Sequence, residues 1–192
     1  MTRKPTIFIL SGPSGAGKTT LVNELFGKEQ IQKYFVRGIS VTTRPKRPQE
    51  QQGKDYFFVS KPVFLKLKSK KFFLESQRVL NNYYGTPRYF YTDAAKGKKD
   101  LILCIDVKGG MYLKKQRNLG KIITLFISAP TEGDLCQRLE KRVEKKETIA
   151  KRIELAKKEL QFAKYYDALI INKDIHASLR KLENILLAEK QS

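Results

Sequence analysis

Apolar residues fall into short continuous runs separated by longer stretches in which they recur every third or fourth position. Thr6 to Leu10, Asp100 to Asp106, Lys121 to Ser128 and Asp167 to Asn172 are short, apolar and bounded by polar or turn residues, the pattern of buried strands. Helix-length segments lie between them. Thr19 to Phe26 follows the first run, and Thr131 can cap a helix with Asp134 at its third position and Leu135 and Leu139 on one face. A further helix is expected from about Ile149 through Ile153, Leu155, Ala156, Leu160 and Ala163; another, capped by Asp174, carries Ile175, Leu179, Leu182, Ile185 and Leu186. Strands alternating with helices at this spacing predict an α/β fold with a mostly parallel sheet flanked by helices.

From about Val36 to Lys99 the texture changes, with Arg, Gln, Tyr and Phe interleaved and a proline-rich turn at Arg44-Pro45-Lys46-Arg47-Pro48. This stretch reads as an inserted mixed α+β lobe, with strands at Asp55 to Ser60 and Lys71 to Leu80 and a short helix between them in which Pro62 sits in the first turn. The expected organisation is one domain over residues 1–192, its core formed by 1–36 and 100–192 and the lobe by 37–99. The segment Arg138 to Lys158 carries nine basic and four acidic residues and breaks two helical patterns, which suggests a mobile flap.

A chain of 192 residues with 41% hydrophobic residues can bury one main core, which excludes disordered and collagen-like classes. Its 39 basic and 19 acidic residues leave a net charge of +20, which favours anionic partners. The surplus is mostly Lys, 28 against 11 Arg, and no base-reading motif accompanies it, so solvated surface and at most non-specific polyanion contact are expected, with no specific nucleic acid. No apolar run approaches the roughly 18 residues of a membrane span, so no membrane partner is expected. Cys104 and Cys136 are too few for a disulfide framework; they read as buried, inert thiols in a reducing, cytoplasmic setting. His176, the only histidine, has no metal-ligand companions and reads as a surface residue.

The strongest chemical signal is Gly12-Pro13-Ser14-Gly15-Ala16-Gly17-Lys18-Thr19, a complete phosphate-loop (P-loop) pattern between the first strand and the first helix. Its glycines let backbone N–H groups converge on an anion, and the helix N-terminus adds partial positive charge. Lys18 would reach the β and γ phosphates, Thr19 would offer a hydroxyl to Mg²⁺, and Thr20 and Ser14 would donate to phosphate oxygens. Asp106, at a strand's carboxyl end, is placed to hold a metal-bound water. An Mg·nucleoside triphosphate site follows. The lobe adds Arg44 and Arg47 in a proline-constrained loop, with Tyr56 and Tyr84, groups suited to a second phosphate.

With these motifs in order, the chain resembles guanylate kinase, the P-loop NTPase family whose members convert ATP and GMP into ADP and GDP. The resemblance rests on Ser11 to Thr20, Ser40 to Arg44 with Arg47 and Glu50, Gly53 to Val59, Phe73-Leu74-Glu75, Asn82 to Thr86, Ile105-Asp106, Arg138 to Arg142, Ile149 to Arg152 and Ile170-Ile171-Asn172. It implies a core with a parallel sheet, a GMP-binding lobe at about Arg37 to Arg88 and a short LID at about 140–153, between the helices near Arg142 and Arg152. It also implies that Arg44, Arg47, Tyr56 and Tyr84 hold the GMP phosphate, Glu50 orients that cluster, and Glu75 faces guanine with Ser40 and Thr86 beside it, Asp106 belonging to the same site. A carboxylate can accept from both N1–H and the 2-amino group of guanine, a donor pair that adenine lacks. Arg138, Arg142 and Arg152 would close over the ATP phosphates as catalytic cations with Lys18, and Asn172 would lie near adenine.

The sequence departs from the family's pattern at three places. Cys104 stands where members usually carry the first Asp of Asp-Ile-Asp; Lys141-Arg142-Val143 replaces the common Gly-Arg-Gly and the Arg142-to-Arg152 spacing is one residue short; Thr86 stands where Ser is frequent. The resemblance implies cytoplasmic purine metabolism, with ATP, GMP and Mg²⁺ as the partners and dGMP and the oligomeric state left open. Two other readings compete: a catalytically weak guanylate kinase-like binding module, opposed by the intact phosphate loop, and a kinase of another small phosphate ester, which would have no need of Glu75.

Overall fold

The computed structural model describes residues 3–141 and 146–191. In chain order it contains β1 (Ile7–Ser11), α1 (Lys18–Phe26), α2 (Glu29–Tyr34), β2 (Phe35–Gly38), β3 (Val41–Thr42), β4 (Phe57–Phe58), α3 (Lys61–Ser69), β5 (Phe73–Val79) and β6 (Asn82–Pro87). There follow α4 (Tyr89–Lys96), β7 (Asp100–Cys104), α5 (Val107–Lys114), β8 (Ile122–Ser128), α6 (Glu132–Glu140), α7 (Lys146–Leu160), β9 (Ala168–Ile171) and α8 (Ile175–Gln191).

The main sheet is parallel throughout, in the order β2-β7-β1-β8-β9. Its central strand alternates strictly: Phe8 and Leu10 pack with Leu21, Val22 and Leu25 of α1 and Leu179, Leu182 and Leu186 of α8. Ile7 and Ile9 face the other side, where Leu113 of α5 and Ala94 of α4 cover them. The chain therefore has a β1–loop–α1 unit whose loop lies at the carboxyl edge of the sheet, where open α/β sheets bind ligands. Asp100, buried at the start of β7, ties the termini to this sheet. It accepts from the Thr6 amide at 2.9 Å and pairs with Arg3 at 3.0 Å and Lys190 at 2.6 Å.

A second, mixed sheet in the order β4-β3-β6-β5 spans Val41 to Pro87. It has its own small core, in which Phe64 of α3 stacks on Phe73 at 4.6 Å between ring centroids, with Val41 beside them. This sheet occupies a shorter stretch than the 37–99 expected from texture. Arg37 and Gly38 lie in β2 and pair with β7, and α4 packs on the main sheet, because the apolar residues of 35–38 and 90–94 find their partners there.

Several expected elements differ in extent at their ends. The strand at Asp55 to Ser60 shrinks to Phe57–Phe58, and Lys71 to Leu80 becomes Phe73–Val79. The helix expected to run through Ala163 stops at Leu160, and Ala163 opens a 3₁₀ turn. The α6 cap is as the sequence indicates: the Asp134 amide donates to Thr131 Oγ1 at 3.0 Å and the Thr131 amide donates back to the Asp134 carboxylate at 3.1 Å.

Candidate active site

The phosphate loop curls tightly enough that two of its glycines are obligatory. Gly12 has φ +141° and an added Cβ would sit 2.0 Å from the Ile127 carbonyl oxygen; Gly17, at φ +86°, caps α1 and would meet Asn172 Nδ2 at 2.3 Å. Lys18, the first residue of α1, folds back so that its ammonium donates to the carbonyls of Gly12 at 2.6 Å and Pro13 at 2.9 Å. A lysine parked on loop carbonyls keeps its charge at the loop mouth, ready to transfer to stronger phosphate acceptors.

Gly12, Ser14, Gly15, Gly17, Lys18, Thr19 and Thr20 line one wall of a single cleft. Ser40, Arg44, Arg47, Tyr56, Glu75 and Tyr84 line the other, with Cys104, Ile105 and Asp106 at its floor and Arg152, Leu155 and Glu159 of α7 across its top. Pro13 and Ala16 shape the loop from behind; Ala16 is fully buried. Residues read from separate motifs thus converge on one space.

On the lobe side Glu50 organises the arginines. It takes two bonds from Arg44, at 2.6 and 3.0 Å, and one from the Arg47 amide at 2.9 Å, with the Arg47 guanidinium 3.5 Å away. Burial works against its charge, but these hydrogen bonds prevail and hold the Glu50 carboxyl below the ordinary range. Arg44 in turn lies over the rings of Tyr56 and Phe58, 5.4 and 5.7 Å from their centroids. Burial pushes the Tyr56 hydroxyl's pKa up strongly, so it stays a neutral donor.

Glu75 is delivered by a β-bulge. The β5–β6 register shifts between Phe73 and Glu75, so Phe73 enters the lobe core, Leu74 the main core and Glu75 the cleft. Its Oε1 accepts from the Thr86 amide at 3.1 Å and hydroxyl at 2.8 Å, while Oε2 is buried with no hydrogen-bond partner. Burial first, and the neighbouring Asp106 second, push its carboxyl up to about 8. Thr86 itself is fully buried and acts through Glu75. Asp106 borders the cleft and also caps α5, accepting from the Gly109 amide at 3.0 Å; burial raises its carboxyl against that bond.

Other candidates stand one layer back. Asn172 is buried, and its amide donates to the Ala16 carbonyl at 2.9 Å, bracing the loop. Arg138 donates to the Asn172 carbonyl at 3.0 Å and is not among the cleft-lining residues. Arg152 does line the cleft, with a guanidinium nitrogen 3.4 Å from Ser14 Oγ. Arg142, with the rest of 142–145 in the expected LID, lies outside the described residues. The cysteines correct an expectation: both are only half-buried, and Cys104 faces the cleft because the end of β7 opens onto it, although burial raises its thiol. His176 is exposed, as expected. Sequence reasoning passed over Glu159. Its signal was its spacing from Arg152 and Leu155, seven and four positions, which put all three on one helical face.

Among the described residues no group of three or more His, Cys, Asp or Glu could cage a metal, and no helix is long and apolar enough to cross a membrane. A family model described as guanylate kinase matches residues 4–189. The guanylate kinase of Thermotoga maritima is 36% identical over 188 residues, 97% of this chain and 88% of that protein; that of Carboxydothermus hydrogenoformans is 39% identical over 188 residues, 97% and 90% respectively. The crystal structure of guanylate kinase from Anaplasma phagocytophilum superposes with a TM-score of 0.78 at 30% identity, covering all of this chain and 89% of that one. Matched in sequence and in fold over nearly its whole length, the chain belongs to the guanylate kinase family.

Proposed function

We propose that the protein transfers the γ-phosphoryl group of ATP to GMP, giving ADP and GDP, with the donor on the phosphate-loop wall of the cleft and the acceptor on the lobe wall. The observation that carries this assignment is the convergence of Lys18 and Thr19 with Arg44, Arg47, Tyr56, Tyr84 and Glu75 on one cleft. A dianionic phosphate is already nucleophilic, so the residues need only align it and neutralise charge; no side chain is assigned as a general base. An acceptor oxygen forms the new bond to Pγ as the bridge to the β phosphate breaks, and ADP carries away the electron pair.

Arg44 and Arg47 grip the acceptor phosphate, Tyr56 and Tyr84 complete its shell, and Glu50 keeps the two arginines in register. Glu75 and Ser40 read guanine. Lys18 leaves its loop carbonyls for the β and γ oxygens, and Arg152 neutralises charge on the γ group, joined by Arg142 and, through Asn172 and the loop, Arg138. The Thr19 hydroxyl and the Asp106 carboxylate both border the cleft. That set fits Mg²⁺ held mainly by phosphates and water, since a hard cation needs oxygen ligands but not an all-protein cage. When bound with ATP it supplies charge neutralisation at the β and γ oxygens. The lobe, spanning Val41 to Pro87, and the segment at about 140–153 are the parts assigned to closure, which excludes water. Two free half-buried cysteines support a cytoplasmic setting.

The test is ADP release coupled to a panel of nucleoside monophosphates with Mg·ATP. Turnover with GMP far above that with AMP, CMP or UMP is expected; no turnover with GMP, or equal use of AMP, overturns the assignment.

A further inference from the structure

Glu159 is one of three acids, with Glu75 and Asp106, in a cleft that also holds Lys18, Arg44, Arg47 and Arg152. It lies on the face of α7 that carries Arg152 and Leu155 into the cleft; its backbone carbonyl accepts from the Phe162 amide at 3.0 Å, while its carboxylate is free to respond to the cleft's charges. The charged and titratable groups whose fields reach it are Lys18 of α1, Asp106 and Lys108 at the start of α5, Arg152 of its own helix, and Tyr166 in the turn before β9. An acid so placed opposes the binding of a polyphosphate unless its charge is removed.

We propose that Glu159 is a positioning residue for the donor triphosphate: its carboxylate attends the cleft cations while the site is empty and is neutralised by a proton from solvent as the triphosphate takes those cations over. The inference rests on the placement of ATP at the phosphate loop. Burial has already brought the Glu159 carboxyl up to about 7, against the pull of Lys18, so it is poised to gain or lose a proton near neutrality. When Lys18 and Arg152 turn to phosphate oxygens, that pull is spent and a further rise of about one pH unit follows. The wild-type protein then takes up about half a proton per bound nucleotide at pH 7.5.

The experiment is titration calorimetry of the full chain with Mg·ATP, without GMP, in two buffers of different ionisation enthalpy. Wild type is expected to take up about half a proton at pH 7.5 and Glu159→Gln essentially none. Across pH 6 to 8.5 the wild-type Kd for Mg·ATP should rise by up to about tenfold and that of the variant should stay flat. Equal uptake in both proteins, or none in wild type, overturns the inference while leaving the donor site standing. Absence of Mg·ATP binding overturns the donor-site assignment and this inference together. Should the variant fail to fold, the wild-type proton count and Kd profile decide alone: both flat means Glu159 has no such role.

Discussion

In the proposed function Glu75 is the residue on which acceptor selectivity turns, and its environment would make that selectivity pH-dependent. In the empty cleft its carboxyl is raised to about 8 by burial and by Asp106, so at pH 7 only about one molecule in ten carries the carboxylate. Guanine offers N1–H and the 2-amino group, both donors, so GMP selects the ionised form and must drive off the proton. With a carboxyl at about 8, that deprotonation costs about 1.4 kcal/mol at pH 7 and little above pH 8.5. KM for GMP should therefore fall about fivefold between pH 7 and 8, the opposite direction to the Kd for Mg·ATP linked to Glu159. Glu75→Gln cannot accept from both guanine donors; two charge-assisted hydrogen bonds are lost, at about 1.5 to 3 kcal/mol each, so kcat/KM for GMP should drop at least about 10²-fold with KM for ATP little changed. Stability moves the other way. A carboxyl whose folded pKa lies above its unfolded value destabilises the fold as pH rises from about 4.5 towards 8, by on the order of 3 kcal/mol at pH 7. The Gln variant lacks that term and should melt no lower than wild type at pH 8. Initial rates of coupled ADP release across pH 6.5 to 8.5, with thermal melts alongside, measure all three quantities. A GMP KM that is flat or rises with pH, or an equal loss of GMP and ATP use in the variant, would refute the reasoning.

Three further outcomes are expected. Lys18→Ala removes a cation that stabilises transition-state charge, a loss on the order of 3 kcal/mol, so kcat should fall about 10²-fold; near-normal turnover would remove Lys18 from the mechanism. Glu50→Gln breaks the bidentate bond to Arg44 and leaves that guanidinium in its aromatic surroundings without its carboxylate. It should lower urea-unfolding stability by about 1 to 3 kcal/mol and raise KM for GMP, and unchanged values of both would show that Arg44 is held by its rings alone. At Gly109 an added Cβ would come within 2.9 Å of Glu75 Oε2, so Gly109→Ala should raise KM for GMP with little effect on KM for ATP; a wild-type GMP KM would mean that Glu75 does not need that space.

What the chain discloses directly differs between its two walls, for a physical reason. The phosphate-loop wall is encoded by contiguous residues: the loop Gly12 to Thr19 lies between a buried strand and a helix, and the positive φ of Gly12, Gly15 and Gly17 is a local requirement that the sequence pattern shows directly. The acceptor wall is assembled from residues far apart in the chain. Glu75 reaches the cleft only because a bulge reassigns three consecutive side chains to three environments, and no local periodicity announces a bulge. The helix α5 escaped the hydrophobic pattern altogether, since Gly109 and Gly110 lie inside it at a helix-propensity cost of about 1 kcal/mol each. Its structure supplies the reason: a Cβ at Gly110 would stand 2.7 Å from both Ser11 Oγ and Tyr166 Oη, and one at Gly109 would crowd the orphan oxygen of Glu75. Local propensity thus fails where a helix has given up its side chains to let Glu75 and the end of β1 approach its backbone. Those two positions are better read as part of the site than as a weak point in the fold.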